Sequence, residues 1–211
     1  MRIGVLALQG AFIEHERRIA ELGAQVFEIR ERRDIAAPFD GLILPGGEST
    51  VQGKLLREFG LFDPLRERIA AGLPTFGTCA GLILLAKAIK DDPTVHFSLL
   101  DVTVERNAYG RQLGSFHAEA PFADGPAIPL SFIRAPMIVA HGPGVEPLVV
   151  LDDTPVAVRQ ANIVASAFHP ELDGDSTIHQ FFLSLCKQAL TANRRQHLHE
   201  KPSTPQSFPT R

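Results

Sequence analysis

Short apolar runs alternate with amphipathic stretches through the first half of the chain, and this alternation constrains the possible folds more than any other feature. Each apolar run has the length of a buried strand and ends in turn residues or in a stretch with helical spacing. Strands that alternate with helices pair in parallel through right-handed crossovers. We therefore predict an α/β fold in which helices cover a mostly parallel central sheet. The predicted strands are residues 3–8, 24–29, 41–44 and 74–77.

Helical signals fill the stretches between these strands and recur near the end of the chain. His15 falls on the apolar face of the first predicted helix. Asp63 and Pro64 are the predicted cap and first-turn residue of the third. The fourth is almost wholly apolar, so it is predicted to be buried on most sides. The predicted helices are residues 11–22, 51–59, 64–71, 80–89 and about 175–190.

The second half changes character, because its β-type runs are short and separated by turn residues. We predict antiparallel hairpins that either extend the central sheet or form a small second sheet. After Ala192 the composition shifts to prolines and charges without apolar periodicity. We predict a single domain over residues 1–192 and a flexible tail over residues 193–211. The β-type runs are residues 99–106, 113–119, 130–133, 137–140, 148–151, 156–159 and 163–168.

The composition excludes several classes of function. The 211-residue chain has 21 basic and 24 acidic residues and a net charge of −3, which leaves no electrostatic footprint for nucleic acid. No apolar run approaches the ~20 residues of a membrane helix, and the N-terminal run is too short for a signal peptide. The two cysteines are too few for a disulfide scaffold. We expect a cytoplasmic protein with reduced thiols that binds neither nucleic acid nor membrane.

Cys79 lies between glycines at a predicted strand-to-helix turn. The segment Gly77-Thr78-Cys79-Ala80-Gly81 has the G-x-C-x-G pattern of a nucleophile elbow. The strained turn needs small neighbours, and the helix N-terminus favours a thiolate. The N–H of Ala80 is placed to donate to an oxyanion. A small cysteine that only packs the turn is the alternative, but the elbow context makes Cys79 the predicted nucleophile.

His169 is the predicted base for this cysteine. It ends an apolar run and is followed by Pro170 and Glu171. Since alternate residues of an extended chain point to one side, Glu171 is predicted to orient the His169 ring and stabilise its charged form. Taken alone, the segment also fits two solvated residues at a strand end. Beside a cysteine elbow, it predicts a catalytic triad.

The other histidines indicate no site. His15 and His179 are assigned to helix faces. His197 and His199 have the spacing of metal ligands but lack a third ligand nearby. We therefore expect neither a metal nor a cofactor.

Residues 44–49 (LPGGES) follow a predicted strand and contain a glycine pair. Such a pair lets the backbone approach a ligand and offers N–H groups to it. A phosphate loop is excluded because Lys54 is not followed by Ser or Thr, and residues 4–10 lack the dinucleotide fingerprint. A backbone oxyanion donor opposite Cys79 is the predicted use.

These motifs, in this order, resemble the class I (triad) glutamine amidotransferase family. Within it the chain is most similar to the glutaminase subunits of pyridoxal 5'-phosphate synthases, and the segments at 105–112 and 132–136 carry that narrower likeness. The resemblance implies a three-layer, flavodoxin-like α/β fold with added antiparallel strands. The matching segments are 4–10 (GVLALQG), 44–50 (LPGGEST), 77–82 (GTCAGL), 105–112 (ERNAYGRQ), 132–136 (FIRAP) and 168–172 (FHPEL).

The resemblance also implies a role for each matching residue. Cys79 would attack the side-chain amide of L-glutamine, His169 would move the proton, and Glu171 would orient His169, with a thioester intermediate. The N–H groups of Gly47 and Ala80 would form the oxyanion hole. The residues implied to bind L-glutamine are Gly47, Glu48, Ser49, Arg106, Ile133 and Arg134. A buried α-carboxylate suits an arginine fork, whereas either arginine considered alone suggests a surface salt bridge.

The implied partner is a separate TIM-barrel synthase subunit that receives the ammonia in a large hetero-oligomer and activates the glutaminase on docking. Two alternatives stay open. One is another class I amidotransferase subunit, or a γ-glutamyl hydrolase, that serves a different acceptor. The other is a non-enzymatic binding module with an inactive elbow, against which the intact set of Cys79, His169 and Glu171 argues.

Overall fold

The computed structural model describes residues 1–106, 108 and 114–199, without the side chains of residues 193 and 196–199. Strands and helices alternate through the first part of this range, and strands dominate the second. In chain order the elements are β1 (Arg2–Leu6), α1 (Phe12–Glu21), β2 (Gln25–Ile29), β3 (Gly41–Leu44), α2 (Ser49–Glu58), α3 (Phe62–Ala70), β4 (Thr75–Thr78), α4 (Ala80–Leu85), β5 (Ala86–Ile89), β6 (Leu100–Glu105), β7 (Ser115–Pro121), β8 (Ala127–Ile133), β9 (Met137–His141), β10 (Glu146–Leu151), β11 (Thr154–Gln160), β12 (Ile163–Ser166) and α5 (Thr177–His199).

The central sheet has seven strands in the order β10-β11-β12-β4-β3-β1-β2. The five strands from β12 to β2 are parallel, and β11 and β10 continue the sheet antiparallel. The parallel part has the flavodoxin-like order, in which ligands bind outside the carboxyl ends of the strands. The predicted α/β fold with a mostly parallel sheet and added antiparallel strands is confirmed.

Strand β4 shows why helices cover both faces of this sheet. Neighbouring side chains of a strand point to opposite faces. The ring of Phe76 packs against His179 and Phe182 of α5 and against His15 of α1. On the other face, a Cβ on Gly77 would come within 2.7 Å of Leu85 in α4. Helices α1 and α5 therefore form one outer layer, and α4 lies in the other.

The remaining strands form two small sheets, so both arrangements predicted for the second half occur. Strands β5, β6 and β9 make a three-stranded sheet, and β7 pairs with β8 in an antiparallel hairpin. The stacked rings of Phe116 and Phe132, with centroids 4.4 Å apart, form a cross-strand pair of this hairpin.

The prediction of one apolar helix over residues 80–89 is wrong in its second half. Helix α4 ends at Leu85, and the next four residues form β5, which pairs with β6. Short apolar runs do not distinguish buried helix from buried strand. In β5 the exposed Lys87, paired to Asp101 of β6 at 2.7 Å, breaks the continuous burial that a wholly buried helix would show.

The predicted cap of α3 is also wrong. The helix begins at Phe62 after Leu61, which makes no side-chain cap, and Asp63 and Pro64 lie inside its first turn. Packing explains the earlier start, because Leu61 is fully buried and Phe62 stacks on Phe97 at 5.0 Å.

The last helix starts later and runs further than predicted. It begins at Thr177, whose N–H donates to Asp175 Oδ1 at 2.7 Å, and it continues to His199. The predicted tail therefore has helical backbone over residues 193–199. Its remainder, residues 200–211, lies outside the described residues. So do Asn107, Tyr109 and residues 110–112 of the 105–112 motif.

Candidate active site

Cys79 occupies the turn between β4 and α4 with a φ of 48°, a conformation that side chains rarely adopt. Its N–H donates to the carbonyl of Ser166 in β12 at 2.8 Å, which ties the turn to the sheet. The helix behind it packs so closely on β3 that a Cβ on Gly81 would lie 2.0 Å from the Leu44 carbonyl oxygen. Local strain of this kind is characteristic of functional sites. The G-x-C-x-G pattern is therefore a packing requirement of the turn.

Ala80 is the first residue of α4 and is fully buried. The first N–H groups of a helix have no partner within the helix. Two of them, from Ala80 and Gly81, follow directly after the Cys79 side chain. The turn thus presents backbone donors next to its thiol.

His169 follows β12 and contacts both of its predicted partners. Its Nδ1 lies 2.7 Å from Glu171 Oε1, and its ring is close enough to the Cys79 thiol for the two side chains to interact electrostatically. The backbone N–H of His169 donates to the Ser131 carbonyl of β8 at 2.8 Å. The residues of the predicted triad therefore lie together, although the reason differs from the predicted one. A short 3-10 helix, Pro170–Leu172, brings Glu171 back to the ring, rather than an extended chain.

Burial and charge act in opposite directions on this pair. Burial alone would lower the pKa of His169, but its interactions with Cys79 and Glu171 outweigh burial and raise that pKa to about 10. Burial raises the pKa of Glu171, although its contact with His169 opposes the rise. The imidazole is therefore held in its charged form over a wide range of pH.

The glycine loop after β3 packs directly on the histidine. A Cβ on Gly46 would lie 2.2 Å from His169 Cε1, so only glycine fits. Two glutamines hold the loop in place: the N–H of Glu48 donates to Gln9 Oε1 at 2.8 Å, and Gln52 Nε2 donates to the Gln9 carbonyl at 2.8 Å. The sequence motifs assign no role to either glutamine. Of the two, Gln52 is easier to recognise from the sequence as a structural residue, since it is a polar residue on the buried face of α2.

A cleft of about 270 Å³ opens above these residues at the carboxyl ends of the parallel strands. Ala80 and Glu171 lie behind the cleft wall rather than on it. All the other predicted site residues line it. The lining residues are Gly10, Ala11, Gly46, Gly47, Glu48, Ser49, Thr50, Cys79, Ile83, Arg106, Ile133, Arg134, His169 and Leu172.

Both arginines of the cleft are engaged in ion pairs. Arg106 contacts the Asp92 carboxylate and donates to Thr50 Oγ1 at 3.0 Å. Arg134, whose φ is 45°, donates to Glu48 Oε1 at 2.8 Å across the cleft mouth. The surface salt bridge considered for each arginine is thus present at Arg134, whereas the ion pair of Arg106 is partly buried. Both arginines also line the cleft.

Two histidines assigned only to helix faces lie directly behind the triad. His15 and His179 are fully buried, and His15 Nδ1 lies 3.0 Å from His179 Nε2. His15 Nε2 lies 3.1 Å from Thr78 Oγ1 and 3.4 Å from Glu171 Oε2. The sequence feature that could have indicated a role for His15 is its place on an apolar helix face, where a buried polar ring needs a hydrogen-bond partner.

No group of three or more His, Cys, Asp or Glu side chains suited to a metal ion occurs among the described residues. The side chains of His197 and His199 are outside that description. The expectation that no metal or cofactor is needed stays a prediction. No helix in the described ranges is long and apolar enough to cross a bilayer.

Solved structures with this fold include glutamine amidotransferases. A structure described as "Crystal structure of glutamine amidotransferase" aligns with a TM-score of 0.83 and 45% identity, over 88% of this chain and 98% of its own. A glutamine amidotransferase from Thermotoga maritima aligns with a TM-score of 0.58 over 92% of this chain and 85% of its own; at 15% identity it shows the fold alone. The class is therefore that of glutamine amidotransferase enzymes.

The chain belongs to the SNO glutamine amidotransferase family, whose model matches residues 5–188. A pyridoxal 5'-phosphate synthase subunit PdxT from Desulfitobacterium hafniense (strain Y51) is 53% identical over 93% of this chain and 98% of its own. PdxT from Streptococcus pneumoniae serotype 2 is 50% identical over 89% of this chain and 99% of its own.

Proposed function

We propose that the chain is the glutaminase subunit of a pyridoxal 5'-phosphate synthase. It hydrolyses L-glutamine to L-glutamate and ammonia, and the ammonia passes to a synthase subunit for vitamin B6 biosynthesis. One observation carries the glutaminase chemistry: His169 contacts both Cys79 and Glu171 at the wall of the cleft. The names of the PdxT relatives support the synthase assignment.

In the proposed reaction, His169 takes the thiol proton before the attack, and the Cys79 sulfur then attacks the side-chain carboxamide carbon of glutamine. The C–N bond then breaks as His169 gives that proton to the departing nitrogen, which leaves ammonia and a γ-glutamyl thioester. Water, activated by His169, hydrolyses the thioester and restores the thiol. The raised pKa of His169 suits this sequence, because the ring holds the proton until the leaving nitrogen takes it.

Backbone donors and charged side chains complete the proposed site. The N–H groups of Gly47 and Ala80 stabilise the oxyanion of each tetrahedral intermediate. The carboxylate of Glu48 suits the α-ammonium of glutamine, and an arginine suits its α-carboxylate. The residues proposed to bind L-glutamine are Gly47, Glu48, Ser49, Arg106, Ile133 and Arg134, all of which line the cleft.

The proposed partner is a TIM-barrel synthase subunit of the PdxS type, held with this chain in a hetero-oligomer. We place the enzyme in the cytoplasm, where thiols stay reduced. Two features support this location: both cysteines are free, and the proposed reaction needs Cys79 as a thiol.

Ammonia release from L-glutamine tests the proposal. The full chain is assayed alone and with a purified TIM-barrel synthase subunit, followed by pyridoxal phosphate absorbance when pentose and triose phosphates are added. The expected result is ammonia release that rises when the synthase subunit is present, with coenzyme formation that depends on both proteins. Ammonia release without any response to that subunit points to another acceptor, and preferential cleavage of γ-glutamyl peptides points to a γ-glutamyl hydrolase. Failure to cleave any of these substrates overturns the proposal.

A further inference from the structure

The two oxygens of the Glu171 carboxylate have different surroundings. Oε1 lies 2.7 Å from His169 Nδ1. Oε2 is completely buried and makes no full hydrogen bond with any described residue, but His15 Nε2 lies 3.4 Å from it. A buried carboxylate oxygen without a donor is costly. His15 is therefore the group that the structure places to offset that cost.

The tautomer of His15 follows from its second neighbour. His15 Nδ1 and His179 Nε2 lie 3.0 Å apart, so one nitrogen carries the hydrogen and the other accepts it. His179 Nδ1 is buried without a described partner. If His179 were the acceptor, its Nδ1–H would be an unpaired buried donor, and the lone pair of His15 Nε2 would face a carboxylate. His179 Nε2–H is therefore the donor, which leaves the hydrogen of His15 on Nε2.

That hydrogen is shared between two acceptors. Thr78 Oγ1 lies 3.1 Å from His15 Nε2, and Glu171 Oε2 lies 3.4 Å from it. Thr78 directly precedes Cys79. The His15 ring thus joins the residue before the elbow to the far side of the triad carboxylate.

Both rings behind the triad are neutral. Burial, followed by the electrostatic cost of a second positive charge beside His179 and His169, holds the pKa of His15 well below its ordinary value. Burial and the Arg18 charge lower the pKa of His179 to about 3, against the opposing charge of Asp175. Among the other charged groups, Glu14 acts on Glu171. A neutral His15 contributes an N–H dipole to the carboxylate without cancelling its charge.

We propose that His15 is a positioning residue: it holds Glu171 from behind, in the tautomer set by His179, so that the carboxylate stays ionised and aligned with His169. This inference rests on the proposed function, because it assigns Glu171 the role of orienting the base. It adds to the Cys79–His169–Glu171 set a buried relay that touches no substrate.

The test measures the pH dependence of iodoacetamide alkylation of Cys79, followed by mass spectrometry of its peptide in the full chain. His15→Leu removes the donor, whereas His15→Gln keeps an amide N–H within reach of the carboxylate. Exposed His141 of β9 provides the matched control, His141→Gln. Thermal unfolding and ammonia release from glutamine are measured on the same samples.

Loss of the donor weakens the charged His169–Glu171 pair, so His15→Leu is expected to move the acid-side midpoint of the alkylation profile up by about one pH unit and to lower kcat about tenfold. His15→Gln is expected to bring both the midpoint and kcat most of the way back to the values of the unmodified chain. His141→Gln is expected to match the unmodified chain. Equal shifts for His15→Leu and His15→Gln would mean that only packing matters, and no shift in either would also overturn the inference.

His179→Leu covers the case in which His15→Leu does not fold. It removes the donor that sets the His15 tautomer, so a smaller upward shift of the same midpoint is expected, and an unchanged midpoint contradicts the proposed relay. Because alkylation needs no glutamine, a failure of the relay and a failure of the glutaminase proposal are distinguishable. If the chain releases no ammonia but the midpoint still shifts in the variants, the proposed role of His15 stands and glutamine is not the substrate.

Discussion

The His169–Glu171 pair has two sides that differ in almost every physical respect. On the front, it faces a cleft whose charged groups are partly exposed and paired across the opening, as Arg134 is with Glu48. On the back, it faces His15 and His179, which are sealed from solvent. Exposed ion pairs add little stability but are free to change partners, whereas buried polar groups are costly to disturb. The front suits substrate exchange, and the back suits fixed geometry.

The histidines on the two sides also have opposite ionisation. The front histidine, His169, has a pKa raised by its partners, and the two behind have pKa values lowered first of all by burial. One fold thus keeps a charged imidazole and neutral imidazoles within a few ångströms, because only His169 has an anionic partner at full hydrogen-bonding distance.

The largest effect on glutamine hydrolysis is expected at Cys79, and none is expected at the other cysteine, Cys186. Cys79→Ala is expected to reduce glutamine hydrolysis by about 10⁴-fold or more, because no other group in the cleft forms the thioester. Cys186 is buried on α5, and burial, reinforced by the Asp40 charge, raises the pKa of its thiol to about 12. Cys186→Ala is therefore expected to leave kcat unchanged and to lower the free energy of unfolding by about 1 kcal/mol. Steady-state ammonia release measures kcat, and denaturant unfolding measures the free energy of unfolding. Equal activities of the two variants would show that Cys79 is not the nucleophile.

The second-largest effect on kcat is expected at Glu171, which lies between the front and the back of the site. Glu171→Gln keeps the shape of the side chain but removes the charge that stabilises the imidazolium, so kcat is expected to fall by about 10²- to 10⁴-fold. Exposed Glu119 on β7 gives the control Glu119→Gln, for which no change is expected. Ammonia release across a pH series measures both. A Glu171→Gln enzyme with near-normal kcat would show that the carboxylate does not support the base.

Stability against pH is expected to show two opposing limbs. The contribution of His169 is fully present below its unfolded pKa of about 6.5 and is lost as pH rises toward its folded value of about 10. That of His179 is fully present above about 6.5 and is lost as pH falls toward about 3.

Each limb has a slope of up to about 1.4 kcal/mol per pH unit for one group. Denaturant unfolding from acid to alkaline pH measures the slopes. His179→Leu is expected to flatten the acid limb, and Cys79→Ala the alkaline limb. An acid limb that survives His179→Leu unchanged contradicts the buried, neutral state of that ring.

The smallest expected effect lies at the cleft mouth. The Arg134 and Glu48 side chains are 70% and 54% exposed, so Arg134→Gln is expected to change the free energy of unfolding by less than about 0.5 kcal/mol. Because Arg134 lines the cleft, the same change is expected to raise the KM for glutamine several-fold. The exposed Lys87–Asp101 pair lies outside the cleft. Lys87→Gln therefore serves as the control, and equal KM values for the two variants would exclude Arg134 from glutamine binding.

Local sequence was sufficient for the features that depend on a few neighbouring residues. The alternation of strands and helices predicted the α/β fold, and the glycines beside Cys79 predicted a turn in which only small residues fit. Local sequence was not sufficient where contacts with residues distant in the chain decide between two locally possible conformations. Residues 86–89 form a strand because β6 offers them partners, and α3 starts at Phe62 because buried neighbours hold that residue.

The candidate site divides in the same way. Residue types and spacing alone selected Cys79, His169 and Glu171, because their chemistry is written in short motifs. His15 and His179 are 164 positions apart and belong to no shared motif. Only the tertiary structure, by placing α1 and α5 on the same face of the sheet, brings them together behind Glu171. A buried polar contact depends on which distant surfaces meet, and that is decided by the packing of the whole sheet rather than by local sequence.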